Sequence, residues 1–151
     1  MNQLLTDIRN RFQAIFKKNH LAFNMNDISR ITGLSRSQVH YWEAKGYIKP
    51  VNYQKNRNHV YDYLTLIKIE LIQSYLKSGF TLKMASQKAS QGRKYAELIH
   101  YIIVNRIRSI DNDNGLPATD FGALVNNPKQ HVVFVKKANG DVIAKLVKKD
   151  H

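Results

Sequence analysis

Apolar positions spaced three and four apart dominate the first hundred residues, which is the signature of amphipathic helices. Leu4, Leu5, Ile8, Phe12, Ile15 and Phe16 fall on one face of a helix predicted over residues 2–18, with Arg9, Arg11, Lys17 and Lys18 off that stripe. The plain role for such a helix is packing against the next domain, and the sharper one is a dimer contact. It is short and carries few charges for a membrane-surface helix. Residues 24–32 predict a second helix with Asn24 or Asn26 as N-cap and Ile28 and Ile31 facing inward. Gly33 supplies a turn, Ser35 caps a third helix that carries Val39 and Trp42 inward, and Gly46 ends it. The Asn-rich, basic segment 51–63 reads as a hairpin-like wing. Leu64 to Leu76 is helical, with Leu64, Ile67, Leu71 and Ile72 in phase, and Gly79 ends it. Thr81 then caps a helix carrying Leu82, Ala85 and Ala89.

Beyond residue 90 the pattern changes. Arg93 to Ile110 predicts a helix so apolar that more than one side must be covered, which points to a subunit interface formed by Leu98, Ile99, Ile102, Ile103 and Ile107. Residues 109–120 read as a polar break with turn chemistry at Asn114-Gly115. A short helix capped near Asp120 and stopped by Pro128 is expected next. Residues 131–149 predict a β-hairpin about Asn139-Gly140, which is marginal alone and must pack on the helices or on a partner chain. The expected fold class is therefore mainly α: a winged helix-turn-helix domain with an extra N-terminal helix, a following hydrophobic helix and a C-terminal β-hairpin. The expected boundaries are an N-terminal helix at 1–22, the winged domain at 23–90, a dimerisation helix at 91–110, and a linker with hairpin at 111–151 that serves dimerisation or sensing.

Charge narrows the function. Twenty-four Lys and Arg against eleven Asp and Glu give the 151-residue chain a formal charge of +13, which suits a polyanionic partner. Cysteine is absent, so disulfides, thiolate metal sites and thiol sensors are excluded. The six histidines lack paired metal-ligand spacing, and no nucleophile elbow or glycine-rich phosphate loop is present. No enzyme activity, metal or cofactor is expected. No apolar run approaches the roughly 18–20 residues of a transmembrane helix, and no signal-peptide pattern opens the chain, so a cytoplasmic location is expected.

A helix-turn-helix offers the N-terminal part of its second helix to the DNA major groove. Here that face carries Ser35, Arg36, Ser37, Gln38 and His40, with Tyr41 alongside. Arg and Gln make paired hydrogen bonds to guanine and adenine edges, and Ser reaches bases or phosphates. Lys45, Lys49, Lys55, Arg57, Asn58, His59 and Tyr61 follow in the turn and wing, placed to meet the backbone.

The same residues resemble the DNA-binding domain of MerR-family transcription regulators. The family's recognition helix, Ser-x-Arg-x-(Ile/Leu)-Arg-Tyr-Tyr-Glu, is matched by Ser35 through Glu43, and its Gly-x-(Ile/Leu)-x-Pro exit by Gly46 through Pro50. Its wing end is matched by Arg57 through Tyr61, and its Leu-Gly-Phe-(Ser/Thr)-Leu turn by Lys77 through Leu82. Three motif arginines are replaced, by Ser37, His40 and His59. The resemblance implies a homodimer that binds double-stranded DNA at an inverted repeat, distorts promoter DNA and so acts with RNA polymerase. A DNA-architectural protein with the same domain is the alternative. A helix-turn-helix turned to protein interaction is a third reading.

Overall fold

The computed structural model describes residues 2–17, 21–51 and 58–150. The chain divides into two compact units, Asn19–Ile99 and a second made of Met1–Lys18 with His100–His151. Among the described residues, no helix is long and apolar enough to cross a membrane.

In the first unit, strand β1 (Ala22–Asn24) leads directly into helix α2 (Met25–Thr32); helix α1 (Gln3–Lys17) lies in the other unit. Asn24 and Asp27 start α2 by a reciprocal capping box: the Asp27 N–H donates to Asn24 Oδ1 at 2.9 Å and the Asn24 N–H to Asp27 Oδ2 at 3.0 Å. Gly33 ends it at φ 77°, a left-handed conformation that glycine adopts without steric cost, and its N–H reaches the Ser29 carbonyl. Helix α3 (Arg36–Ala44) follows at once. Strand β2 (Val60–Asp62) pairs antiparallel with β1, Phe23 opposite Tyr61. Asp62 then caps helix α4 (Tyr63–Lys77), accepting the Thr65 N–H at 2.7 Å. Ile28, Val39, Trp42, Ile48, Tyr61, Ile69 and Ile72 form the core of this unit, closed by Ala85 and Ala89 of helix α5 (Leu82–Tyr101). Ile31 and Ile67, expected inside, are exposed at 39% and 37%, because the buried face of α4 runs through Thr65, Ile69 and Ile72.

Helix α5 is one element where two helices were expected, divided near residue 90. Gly92 does not break it: a Cβ there would lie 3.2 Å from Leu71 Cδ1, so glycine is what permits close approach to α4. The predicted helix to Ile110 stops early. After Tyr101 the backbone widens into a π-helical turn, Ile102–Arg106, and then becomes strand.

The second unit corrects the expected fold class. Instead of a linker, a short helix and a hairpin, residues 109–148 form a four-stranded antiparallel sheet: β3 (Ser109–Asp113), β4 (Leu116–Leu124), β5 (Asn127–Lys136) and β6 (Val142–Lys148), in that order. The β5–β6 hairpin turns at Asn139-Gly140 as the sequence predicts, with Lys136 opposite Val142. Asn114-Gly115 makes a second hairpin, between β3 and β4, where only a polar break was expected. Buried positions do alternate along β4, but they are Ala118, Asp120 and Gly122, so the strand carries no apolar signature. Its small core is Ala118, Val133 and Val135. α1 joins this unit through polar groups, Arg9 donating to the Arg108 carbonyl and Gln13 Nε2 to the Ile107 carbonyl at 3.1 Å.

Asp120 is the buried charge of the sheet. A bulge after it places Gly122 at φ 90°, whose N–H donates to Asp120 Oδ1 at 2.7 Å. Lys149 Nζ lies 2.7 Å and His131 Nδ1 2.9 Å from Oδ2. Burial opposes the charge, but Lys149, the Gly122 N–H and His131 outweigh it, leaving the carboxyl below its ordinary value. A depressed carboxyl contributes stability that is present above its unfolded value and lost as pH falls through the folded one. Asp120→Asn is therefore expected to destabilise the sheet unit by about 3 kcal/mol near neutrality, and the difference from the parent to shrink below a pH of roughly 4. Denaturant unfolding across that range checks it.

Candidate nucleic-acid interface

Ser35 and Gln38 fix the start of α3. Ser35 Oγ accepts the Gln38 N–H at 3.1 Å, and Gln38 Oε1 accepts the Ser35 N–H at 2.9 Å. Both side chains, expected to face DNA, are thus partners in a capping box. Arg36 Nη1 donates to Asn26 Oδ1 at 2.8 Å, joining the first turn of α3 to α2. A guanidinium has five N–H donors, so this bond leaves most of them for a ligand.

Arg36 and His40 form one wall of an open groove of about 350 Å³, and Asn24, Asn26, Asn58 and His59 complete it from α2 and the base of the wing. The structure thus brings together Arg36, His40, Asn58 and His59, and adds the α2 N-terminus, which the sequence reading had treated only as a cap. Gln38 and Tyr41 lie instead along a neighbouring groove with Leu34, Trp42 and Leu82. Ser37 is exposed, and Lys45 Nζ sits 5.6 Å from the centroid of the exposed Tyr41 ring. Lys55 and Arg57 lie outside the described residues.

Tyr61 is the clearest departure. It is fully buried, and its hydroxyl donates to Glu43 Oε2 rather than facing a ligand. Glu43 Oε1 in turn lies 2.5 Å from His59 Nδ1. One carboxylate near the end of α3 therefore holds the segment that returns from the wing into β2, at His59 and Tyr61. Burial, then the hydrogen bond and charge of Glu43, push the Tyr61 phenol well above its ordinary value, so it remains a donor through the neutral range. Glu43 was visible to the sequence only as a motif letter; its role needed the Tyr61 and His59 geometry.

This arrangement defines a helix-turn-helix: two capped helices joined at Gly33, with cationic and amide side chains along an open groove; the expected wing tip, residues 52–57, lies outside the described residues. The sequence profile of the MerR helix-turn-helix family of regulatory proteins matches residues 23–91. Residues 23–91 thus belong to the MerR helix-turn-helix family. A solved transcriptional regulator of the MerR family from Bacillus cereus is similar at 19% identity and a TM-score of 0.44, over 54% of this chain and 63% of its own. No curated protein matches the chain significantly.

Tyr61→Phe removes the buried donor and leaves Glu43 short of a partner. It is expected to cost the winged unit about 1–3 kcal/mol. The raised phenol stabilises the fold below its unfolded value, near 10, and that contribution is lost as pH rises through the folded value; Tyr61→Phe should flatten this alkaline loss. Chemical denaturation at neutral and alkaline pH checks both.

Proposed function

We propose that the protein is a DNA-binding transcription regulator that acts as a homodimer on an inverted repeat and distorts promoter DNA so that RNA polymerase engages it. The observation that carries this reading is the groove in which Arg36 and His40 of α3 stand beside Asn26 and the wing base, inside a MerR-type domain. Arg36 and the exposed Ser37 are the base-edge and phosphate contacts, Lys45, Lys55 and Arg57 the backbone contacts, and Asn58 and His40 the hydrogen-bonding groups between them. Tyr61 and Glu43 position the wing without touching DNA. A cytoplasmic location goes with this role.

Dimerisation is supported by apolar surface that a monomer leaves in water. Leu98 and Ile99 are 57% and 62% exposed, and the α1 stripe of Leu4, Phe12 and Ile15 is also open. Ile102, Ile103 and Ile107 are half-buried. A Leu98→Asp, Ile99→Asp double variant is expected to sediment as a folded monomer where the parent is a dimer.

A DNA-architectural role is favoured by one observation: the Gln38 carbonyl oxygen is held in the capping box, which removes half of a paired adenine contact. Selection from a random duplex library at two salt concentrations separates the readings. A recovered inverted repeat, bound about 5- to 100-fold more weakly by Arg36→Ala, is the expected result. Uniform, steeply salt-dependent retention without a motif would favour the architectural role. No retention at low salt would overturn both.

A further inference from the structure

A second hollow of about 390 Å³ opens in the winged unit, lined by residues other than those of the groove. Three cations from three different stretches of chain border it: Lys49 after α3, Lys68 on α4 and Arg93 on α5. Among the described residues that line it, Asp62 is the single carboxylate. Asp62 is engaged in capping α4, and its closest approach to Arg93 is 3.8 Å, beyond hydrogen-bond distance. The Arg93 Nε–H is turned to Glu97 at 3.1 Å.

Arg93 is thus ion-paired with Asp62 and Glu97, whereas among the described residues Lys49 and Lys68 have no carboxylate partner, so the hollow keeps an excess of positive charge. Lys68 records this: burial lowers its pKa, and the charges of Arg93 and then Lys49 lower it further. Like charges held together in a partly desolvated hollow are a cost to folding that an anion reverses on binding. The hollow is at the small end of ligand pockets and suits a phosphate group with a modest substituent.

We propose that Lys49, Lys68 and Arg93 form a phosphate-binding pocket. The phosphate belongs either to the backbone of bound duplex DNA, an arm that rests on the DNA-binding reading above, or to a soluble phosphorylated molecule that acts as an effector.

The test uses the full chain with inorganic pyrophosphate as probe, in calorimetric titrations at fixed ionic strength, alongside duplex binding over a range of salt. Lys68→Met keeps the aliphatic stem and removes the charge; Lys49→Met does so at an exposed position; Lys83→Met removes an equal charge from the exposed start of α5. Saturable pyrophosphate binding, weakened by about tenfold or more in Lys68→Met and Lys49→Met but not in Lys83→Met, is the expected result. Unliganded Lys68→Met should melt no lower than the parent, because it relieves repulsion; a purely structural lysine would lower the melting temperature. If duplex DNA displaces pyrophosphate and the two variants flatten the salt slope by about one, the phosphate is the DNA backbone. If pyrophosphate and duplex bind together, it is a soluble effector. Absence of saturable pyrophosphate binding, with DNA affinity in Lys68→Met equal to that in Lys83→Met, overturns the pocket. The two readings fail separately: Arg36→Ala reports on the groove, and pyrophosphate binding without DNA binding would leave the pocket standing alone.

Discussion

The winged unit depends on one carboxylate. Glu43 lies near the C-terminal end of α3, and its two oxygens take the Tyr61 hydroxyl and the His59 ring. Tyr61 is paired through β2 with Phe23 of β1, and β1 runs straight into α2. The α2 helix is in turn joined to the start of α3 by the Arg36–Asn26 bond. The loop of constraint therefore passes from α3 through the wing base and back to α3. Such closure is costly to break, because a half-buried carboxylate that loses its donors keeps part of its desolvation penalty.

That arrangement assigns separate tasks to neighbouring residues of α3. Ser35 and Gln38 satisfy the backbone donors of the helix start, Val39 and Trp42 are buried, and Glu43 holds the wing. Arg36, Ser37, His40 and Tyr41 are left facing solvent.

How much of this was legible follows from which signals are local. Caps and turns were readable because they need particular residue types at fixed offsets: Ser35 before α3, Gly33 after α2, and Asn139-Gly140 between β5 and β6. The MerR-like motifs were readable because three of them occur in order. What failed to register lacked a local signature. The β4 strand buries Ala118, Asp120 and Gly122, so the period-two pattern is present in burial and absent in hydrophobicity. Asp120 is tolerable inside because Lys149 and His131, distant in sequence, reach it together with the Gly122 N–H. Tyr61 carries the composition of a DNA contact, and only its Glu43 partner shows that it faces inward.

The same logic bears on the N-terminal helix. An amphipathic helix usually docks by its apolar side; in α1, Leu5 and Phe16 are half-buried, and Arg9 and Gln13 bond to backbone carbonyls just before β3. The stripe of Leu4, Ile8, Phe12 and Ile15 is left in water, and no residue of α1 is buried. Leaving four large apolar side chains exposed forfeits several kcal/mol of burial, at about 1.5–3 kcal/mol for each one fully covered. Polar anchoring holds the helix in a defined orientation while preserving the apolar stripe for something outside the monomer. In the proposed homodimer, one symmetric contact would cover this stripe on both chains. On that proposal α1 serves assembly, and the helix-turn-helix unit serves recognition.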